Sequence, residues 1–363
     1  MDPLKSSLPP APPISLRTMQ MAGLLVDVYG LSELPPTATH ISCLWLHHPR
    51  TKSKETMGDF AARCVAAWYS NSSAPGPAAG GAAAQQGPGS RGLVALAYDQ
   101  RNHGSRAVDE KANGSWREGN AMHAVDMFGV IAGMVADQRV LLDLVEGYLL
   151  HDDTEGKRTI DQHLALGVSL GGHSVWQLMF AEPRVTAGVV VIGCPDYMNL
   201  LSDRARLSKL ATYSAQDKGA SFFGSKDFPP SLVEACKKFD PKGILLGTSA
   251  VPDVQSSGVE EEPARRIAQT HLRGKKFLLC SGGDDKLVPY RCSEPFLKWF
   301  KQATETWLKE ERVSVDDRVY PGIGHTFSKD MVTDAVSFIV DAVANAERSA
   351  SASGGDEQRT SKI

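Results

Sequence analysis

The chain has 363 residues, 42% of them hydrophobic and 22% charged, enough for one large globular domain carrying an insertion. Its net charge of −3 offers no basic footprint for nucleic acid, and no run approaches the roughly 18 consecutive apolar residues of a membrane span. Six cysteines are scattered without a Cys-x-x-Cys pair. Cys43, Cys194 and Cys280 fall in apolar strand-like runs, so buried reduced thiols are expected in place of a disulfide framework or a zinc site.

Residues 1–20 are Pro-rich and lack an apolar signal core, so secretion is not expected, and the sequons at Asn71 and Asn113 are expected to stay unmodified. Leu24 to Tyr29 reads as a first strand, and His40 to Leu46 as a stronger one that ends at His47-His48-Pro49. A helix is expected near Lys54 to Tyr69. Residues 71–92 are mostly Gly, Ala, Pro and Ser and read as a flexible low-complexity loop. Gly92 to Tyr98 is the next strand and runs into Asp99-Gln100-Arg101-Asn102-His103-Gly104. From about Ala121 to Leu150, apolar residues recur at spacings of three and four, as in a helix (Met127, Val130, Ile131, Met134, Val135).

Three further strands are read at His163 to Leu166, Ala187 to Gly193 and Lys276 to Cys280. Ser314 to Tyr320 is the last, with a closing helix from Met331 to about Asn345. Buried strands alternating with helices predict a mostly parallel central sheet covered on both faces. The stretch of about 195–275 breaks this rhythm and is too long for a plain connection. It is expected to be a helical lid insertion over the carboxyl edge of the sheet, where open α/β sheets bind ligands. Its aromatics, Tyr197, Tyr213, Phe222, Phe223 and Phe228, fit either an apolar substrate wall or the insertion's own core. The domain is thus 21–347, followed by a polar tail, 348–363, expected to be disordered.

The chemistry centres on Gly167-Val168-Ser169-Leu170-Gly171, which lies between an apolar strand and the start of a helix at Gly172 to Phe180. Gly-x-Ser-x-Gly in that setting makes a sharp strand-to-helix turn that exposes one serine hydroxyl at the top of a sheet. A serine hydroxyl needs a histidine to take its proton and a carboxylate to hold that histidine in the right tautomer. In this setting the partners follow in the order Ser, Asp or Glu, His. The strand Phe277 to Cys280 ends in a Gly-rich turn with two acids, Asp284 and Asp285, either of which fits. Of ten histidines only His325 follows that turn, itself just past a strand end. The first oxyanion donor is the amide of Leu170, directly after the nucleophile.

The acid turn, from Gly282 through Asp285 to Val288-Pro289, resembles the Gly-x-x-Asp-x-x-Val-Pro loop of the α/β-hydrolase superfamily. The Gly-x-Ser-x-Gly elbow and Gly324-His325 match the same family. Asp99 to Gly104 is similar to its Asp-x-Arg-Gly-His-Gly, with Asn102 where glycine is usual. The resemblance covers about residues 24–345, and the pattern also resembles the prolyl-oligopeptidase-like esterase branch. It implies the α/β-hydrolase fold and a triad of Ser169, Asp285 and His325, with Asp284 a solvated neighbour. Arg101 and His103 would then brace their turn, and His173 would lie in the first helical turn without a catalytic role. His47-His48 is similar to the family's His-Gly oxyanion loop, with His48 replacing the glycine. The usual second donor position then falls on Pro49, which has no N–H, leaving Arg50 or His48, with Arg50 preferred.

The activity expected is a serine hydrolase acting on a small-molecule carboxylic ester or thioester through an acyl-enzyme, with no cofactor and no metal. An acyltransferase using the same triad and a non-catalytic ligand-binding member of the fold are the rivals. The final residues, Ser361-Lys362-Ile363, are close to the Ser-Lys-Leu address read by the peroxisomal import receptor. The expected location is cytoplasmic or peroxisomal.

Overall fold

The computed structural model describes residues 8–72, 90–153, 156–252 and 266–360, with side chains as far as residue 346. Most of the loop read at 71–92 and the Ser361-Lys362-Ile363 ending lie outside the described residues. Eight strands form one sheet in the order β1-β2-β4-β3-β5-β6-β7-β8. They are β1 (Leu16–Met21), β2 (Leu24–Tyr29), β3 (His40–His47), β4 (Arg91–Tyr98), β5 (Thr159–Val168), β6 (Val185–Val191), β7 (Lys276–Gly282) and β8 (Ser314–Tyr320). The β1–β2 and β2–β4 pairs are antiparallel, and every pair from β4 to β8 is parallel.

The interior parallel strands β3 to β7 carry apolar runs because both faces are covered, whereas the edge strand β8 is polar and only half-buried at best. Along β3, Cys43 and Trp45 enter one core cluster, with Met134, Leu141, Trp176, Phe277 and Phe296. Leu44 and Leu46 enter the other, with Phe60, Val65, Leu166, Met331 and Ile339. That period of two is the pleat itself. The first face is closed by α2 (His123–Leu149), α3 (Leu170–Ala181) and α7 (Tyr290–Glu305), the second by α1 (Gly58–Ser72) and α8 (Lys329–Thr360). All six cysteines are buried and unbridged. Among the described residues no helix is long and apolar enough to cross a membrane.

Three boundaries differ from the sequence reading. Strand β1 lies inside the segment assigned to an N-terminal extension. It is an exposed edge strand with mixed polar residues, so it lacks a core signature. Helix α1 runs on to Ser72 and β4 starts at Arg91, shortening the intervening loop at both ends. Helix α8 continues to Thr360, well into the segment expected to be an unstructured tail, and runs through Gly354-Gly355, which helix propensity does not favour.

Between β6 and β7 lie α4 (Tyr197–Leu207), α5 (Pro230–Phe239) and α6 (Pro241–Leu246). The apolar side chains of α4 and α5 make a third cluster with the N-terminal half of α2, with Leu170 beside the elbow, and with Val288 and Cys292, whereas Leu245 of α6 joins the first. Phe222, Phe223 and Phe228 pack on one another at ring distances of 5.2–5.4 Å. Phe222, Phe228 and Tyr197 are fully buried, so these three belong to the insertion's own core.

Candidate active site

The chain order reverses between β4 and β5 on either side of β3, so the carboxyl ends of β3 and β5 flank the crevice where open α/β sheets place ligands. Ser169 is the residue immediately after β5. Its backbone sits at φ +56°, ψ −111°, a conformation non-glycine residues rarely adopt and one that stores strain. Two hydrogen bonds hold it there: Ser169 N donates to Val191 O on the neighbouring strand (2.9 Å) and His173 N donates to Ser169 O (3.1 Å). Crowding explains the flanking glycines. A Cβ at Gly167 would lie 2.0 Å from Gly171 O, and one at Gly171 would lie 2.1 Å from His47 O at the end of β3.

The other two members arrive on the loops after β7 and β8, whose ends pair Gly282 with Tyr320. The loops are bonded to each other: Gly283 N donates to Tyr320 O (2.8 Å) and Asp284 N to Ile323 O (2.9 Å). The three side chains meet in one chain of hydrogen bonds. Ser169 Oγ lies 2.8 Å from His325 Nε2, and His325 Nδ1 lies 2.7 Å from Asp285 Oδ2. Asp285 Oδ1 accepts from the amides of Leu287 (2.8 Å) and Val288 (2.9 Å). Burial pushes the Asp285 carboxyl up. The hydrogen bond and charge of His325 and the two amides outweigh it, holding the carboxyl below the usual carboxylate range. Asp285 is buried while Asp284 is exposed, which separates the two acids that the bare pattern left open.

The residues after β3 divide. His48 is buried and braces the strand ends: its Nδ1 donates to Pro49 O (2.8 Å) and its Nε2 accepts from Gln100 N (3.0 Å). Burial pushes the His48 imidazole down to about 4, so it is neutral. Arg50 instead lines a cavity of about 680 Å³ together with Ser169, Leu170, His173 and His325. The amide of Leu170 is the first of helix α3 and has no acceptor within the helix.

The Asp99–Gly104 turn is architectural. Asp99 accepts from Lys54 N (2.9 Å), Ser105 N (2.8 Å) and Ser105 Oγ (2.7 Å), and Arg101 pairs with Asp137 at 2.9 Å. Asn102 occupies a left-handed position at φ +59°, which asparagine tolerates better than most residues. Its Oδ1 accepts from Val108 N and Asp109 N, and its Nδ2 donates to Asp109 O, so the side chain does work that a glycine here cannot.

The rest of the cavity wall was not singled out in the sequence. Trp116, Arg117 and His123 come from the loop before α2 and its first residue, Arg204 from α4, and Lys286 from the acid loop. No local motif marks them, because the wall is assembled from segments far apart in the chain.

No protein-family model matches the sequence, and a search of curated proteins finds no significant relative. Solved structures do resemble the fold. TT1662 from Thermus thermophilus aligns over 91% of this chain and 98% of its own, at 15% identity and a TM-score of 0.53. A puromycin-hydrolyzing peptidase of Mycobacterium tuberculosis aligns over 92% of this chain, at 12% identity and a TM-score of 0.50. This chain spans 39% of that peptidase's length. An esterase B from Lactobacillus rhamnosis aligns over 93% of this chain and 88% of its own, at 13% identity and a TM-score of 0.46. The sheet order, the helical layers and the likenesses to TT1662 and to the peptidase define the chain as having the α/β-hydrolase fold.

Proposed function

We propose that the protein is a serine hydrolase that cleaves a carboxylic ester or thioester through an acyl-enzyme on Ser169. The observation that carries this reading is the unbroken chain Ser169 Oγ–His325 Nε2, His325 Nδ1–Asp285 Oδ2, at 2.8 and 2.7 Å. His325 takes the Ser169 proton as Oγ bonds to the acyl carbon, and Asp285 orients the ring and stabilises the imidazolium. The tetrahedral oxyanion is held by the Leu170 amide and, on this reading, the Arg50 amide. Collapse breaks the bond to the leaving alkoxide or thiolate, which receives the proton from His325. Water then attacks the acyl carbon with His325 again as base. The free acid leaves, and the proton returns to Ser169. Every group in this cycle is a side chain or amide of the chain itself, and the helices between β6 and β7 serve as a lid over the cavity.

A fluorophosphonate probe tests the reading: it is expected to label the wild-type protein on Ser169 and to leave Ser169→Ala unlabelled. Equal labelling of the two, or none of the wild type, rejects it. An ester panel of graded acyl length, with and without an added acceptor alcohol, separates hydrolysis from acyl transfer.

A further inference from the structure

The cavity beside Ser169 has a charge the reaction itself does not need. Six of its wall residues are basic and two are acidic, in a chain whose net charge is −3. Two of the basic residues are arginines set into the wall. Arg204 donates from Nη2 to Leu287 O (3.1 Å) and approaches Met127 Sδ (3.1 Å) and His123 Nε2 (3.4 Å) from Nη1. Arg50 donates from Nη1 to Asn113 O (2.9 Å). Neither has a carboxylate within salt-bridge range among the described residues. The nearby acid Glu118 is spent on its own turn, accepting from Ser115 N at 2.6 Å.

Both arginines are half-buried, and an arginine partly withdrawn from water without a counter-charge is destabilising. Elsewhere the molecule avoids this: the buried Arg91 meets Asp161 at 2.6 Å. Burial first, and then the charge of Arg50, push Arg204 down to about 10, so the two cations feel each other across the cavity. Two wall residues add unpartnered neutral groups. Trp116 Nε1, a buried N–H donor, has no partner, and neither has His173 Nε2, whose ring meets the Cys194 carbonyl and amide through Nδ1 at 3.1 Å. His123, its ring T-stacked on Trp116 at 4.9 Å, is pushed by burial and by Arg204 to about 3 and is neutral.

We infer that the cavity selects an ester or thioester carrying an anionic group, a carboxylate or a phosphate, whose oxygens take the open donors of Arg204 and Arg50. This rests on the serine-hydrolase reading above and adds the substrate class. Planar guanidinium groups suit such oxygens because they bind two at a time. The basic residues at the rim, Lys111, Arg117 and Lys286, would draw an anion in.

Two matched substrate pairs test it at low ionic strength. One is the 4-nitrophenyl hemiester of glutaric acid against its methyl-capped neutral twin. The other is acetylated glycerol phosphate against acetylated glycerol. The expected result is a kcat/KM at least tenfold higher for the anionic member of one pair or both, shrinking with added salt. The pair that responds says whether the group is a carboxylate on the acyl side or a phosphate on the alcohol side. In Arg204→Gln that ratio should fall to within about threefold of unity, and Arg204→Lys should keep part of it. Fluorophosphonate labelling of each variant reports separately on Ser169. Wild-type protein that labels but favours the neutral member of both pairs, or neither member, overturns the inference while leaving the hydrolase reading intact; so does Arg204→Gln with the ratio preserved. Wild-type protein that neither labels nor cleaves any of the four esters overturns both. Because the wild-type ratio alone is decisive, a poorly folded variant does not shield the inference.

Discussion

The substitution Asp285→Asn changes one heavy atom and, by the geometry of its loop, inverts the triad's proton chain. Asp285 Oδ1 accepts from the amides of Leu287 and Val288 at 2.8 and 2.9 Å, while Oδ2 faces His325 Nδ1 at 2.7 Å. An asparagine here must keep its carbonyl oxygen on the two amides, because an NH₂ group in that place would confront two donors. Its NH₂ is then turned toward His325 Nδ1. That nitrogen becomes an acceptor, the ring proton moves to Nε2, and Nε2 can no longer accept the Ser169 proton across the 2.8 Å contact. The expected loss is about 10³- to 10⁴-fold in kcat, a barrier increase of ~4–5.5 kcal/mol. Thermal stability should change little, since the two amide bonds survive. The assay is steady-state cleavage of a 4-nitrophenyl ester beside the rate of fluorophosphonate labelling, with Asp284→Asn as the exposed neighbour expected to retain activity. An Asp285→Asn protein within tenfold of wild type, or an Asp284→Asn protein equally impaired, would refute the assignment of the acid.

Other expectations follow from packing and burial. Gly171→Ala puts a methyl 2.1 Å from the His47 carbonyl oxygen, so the β3 end must shift; a loss of about 1–3 kcal/mol and slower probe labelling are expected, read by thermal melts and labelling rates. Lys54→Met strands the buried Asp27, whose Oδ2 lies 2.9 Å from Lys54 Nζ. About 3–5 kcal/mol should be lost, with much of it recovered in the double variant Lys54→Met, Asp27→Asn on urea titration; no recovery would mean that the ion pair is not the cause. Burial holds His47, His48 and His163 down to about 4 and His123 and His173 to about 3. A folded-state pKa below the unfolded value means that the unfolded chain binds more protons once the pH drops below ~6.5. Each histidine then removes up to about 1.4 kcal/mol of stability per pH unit down to its folded value. The urea midpoint should fall steeply from pH 7 to pH 5, and a flat profile would show that these rings are not buried neutral.

The elements legible in the sequence share a physical reason. Strands β3 to β7 are buried on both faces, so each reads as an uninterrupted apolar run. The turn after β5 needs glycines on both sides of Ser169 for a steric cause that leaves a local pattern. Strand β1 is not legible because an exposed edge strand has no such run: five of its six residues are exposed or half-buried. Asp285 needed more than local reading, since Asp284 beside it has the same chemistry and only burial distinguishes them. The second oxyanion position was left between His48 and Arg50 for a similar reason; which of the two lines the cavity depends on how the chain turns at Pro49, not on residue type.

The least legible part is the cavity wall, and there the cause is topological. Arg204 sits in an amphipathic helix of an insertion, flanked by Asp203 and Arg206, and reads there as one more surface cation. It becomes a wall residue because α4 packs on α2 through Tyr197, Leu200, Leu201 and Ala205, with the Tyr197 hydroxyl donating to Ala124 O at 2.7 Å and its ring packing on Phe128 at 5.0 Å. The chemistry-bearing residues follow strand ends, which sequence patterns mark. On the proposed reading, the residues that set what the chemistry acts on come from the loop after β3 (Arg50) and from the insertion (Arg204), the latter placed by long-range packing. Reaction class and substrate class are, on that reading, encoded differently in this chain: the first in short motifs at the ends of buried strands, the second in Arg50 on the loop after β3 and in Arg204, which the insertion's apolar packing carries to the cavity.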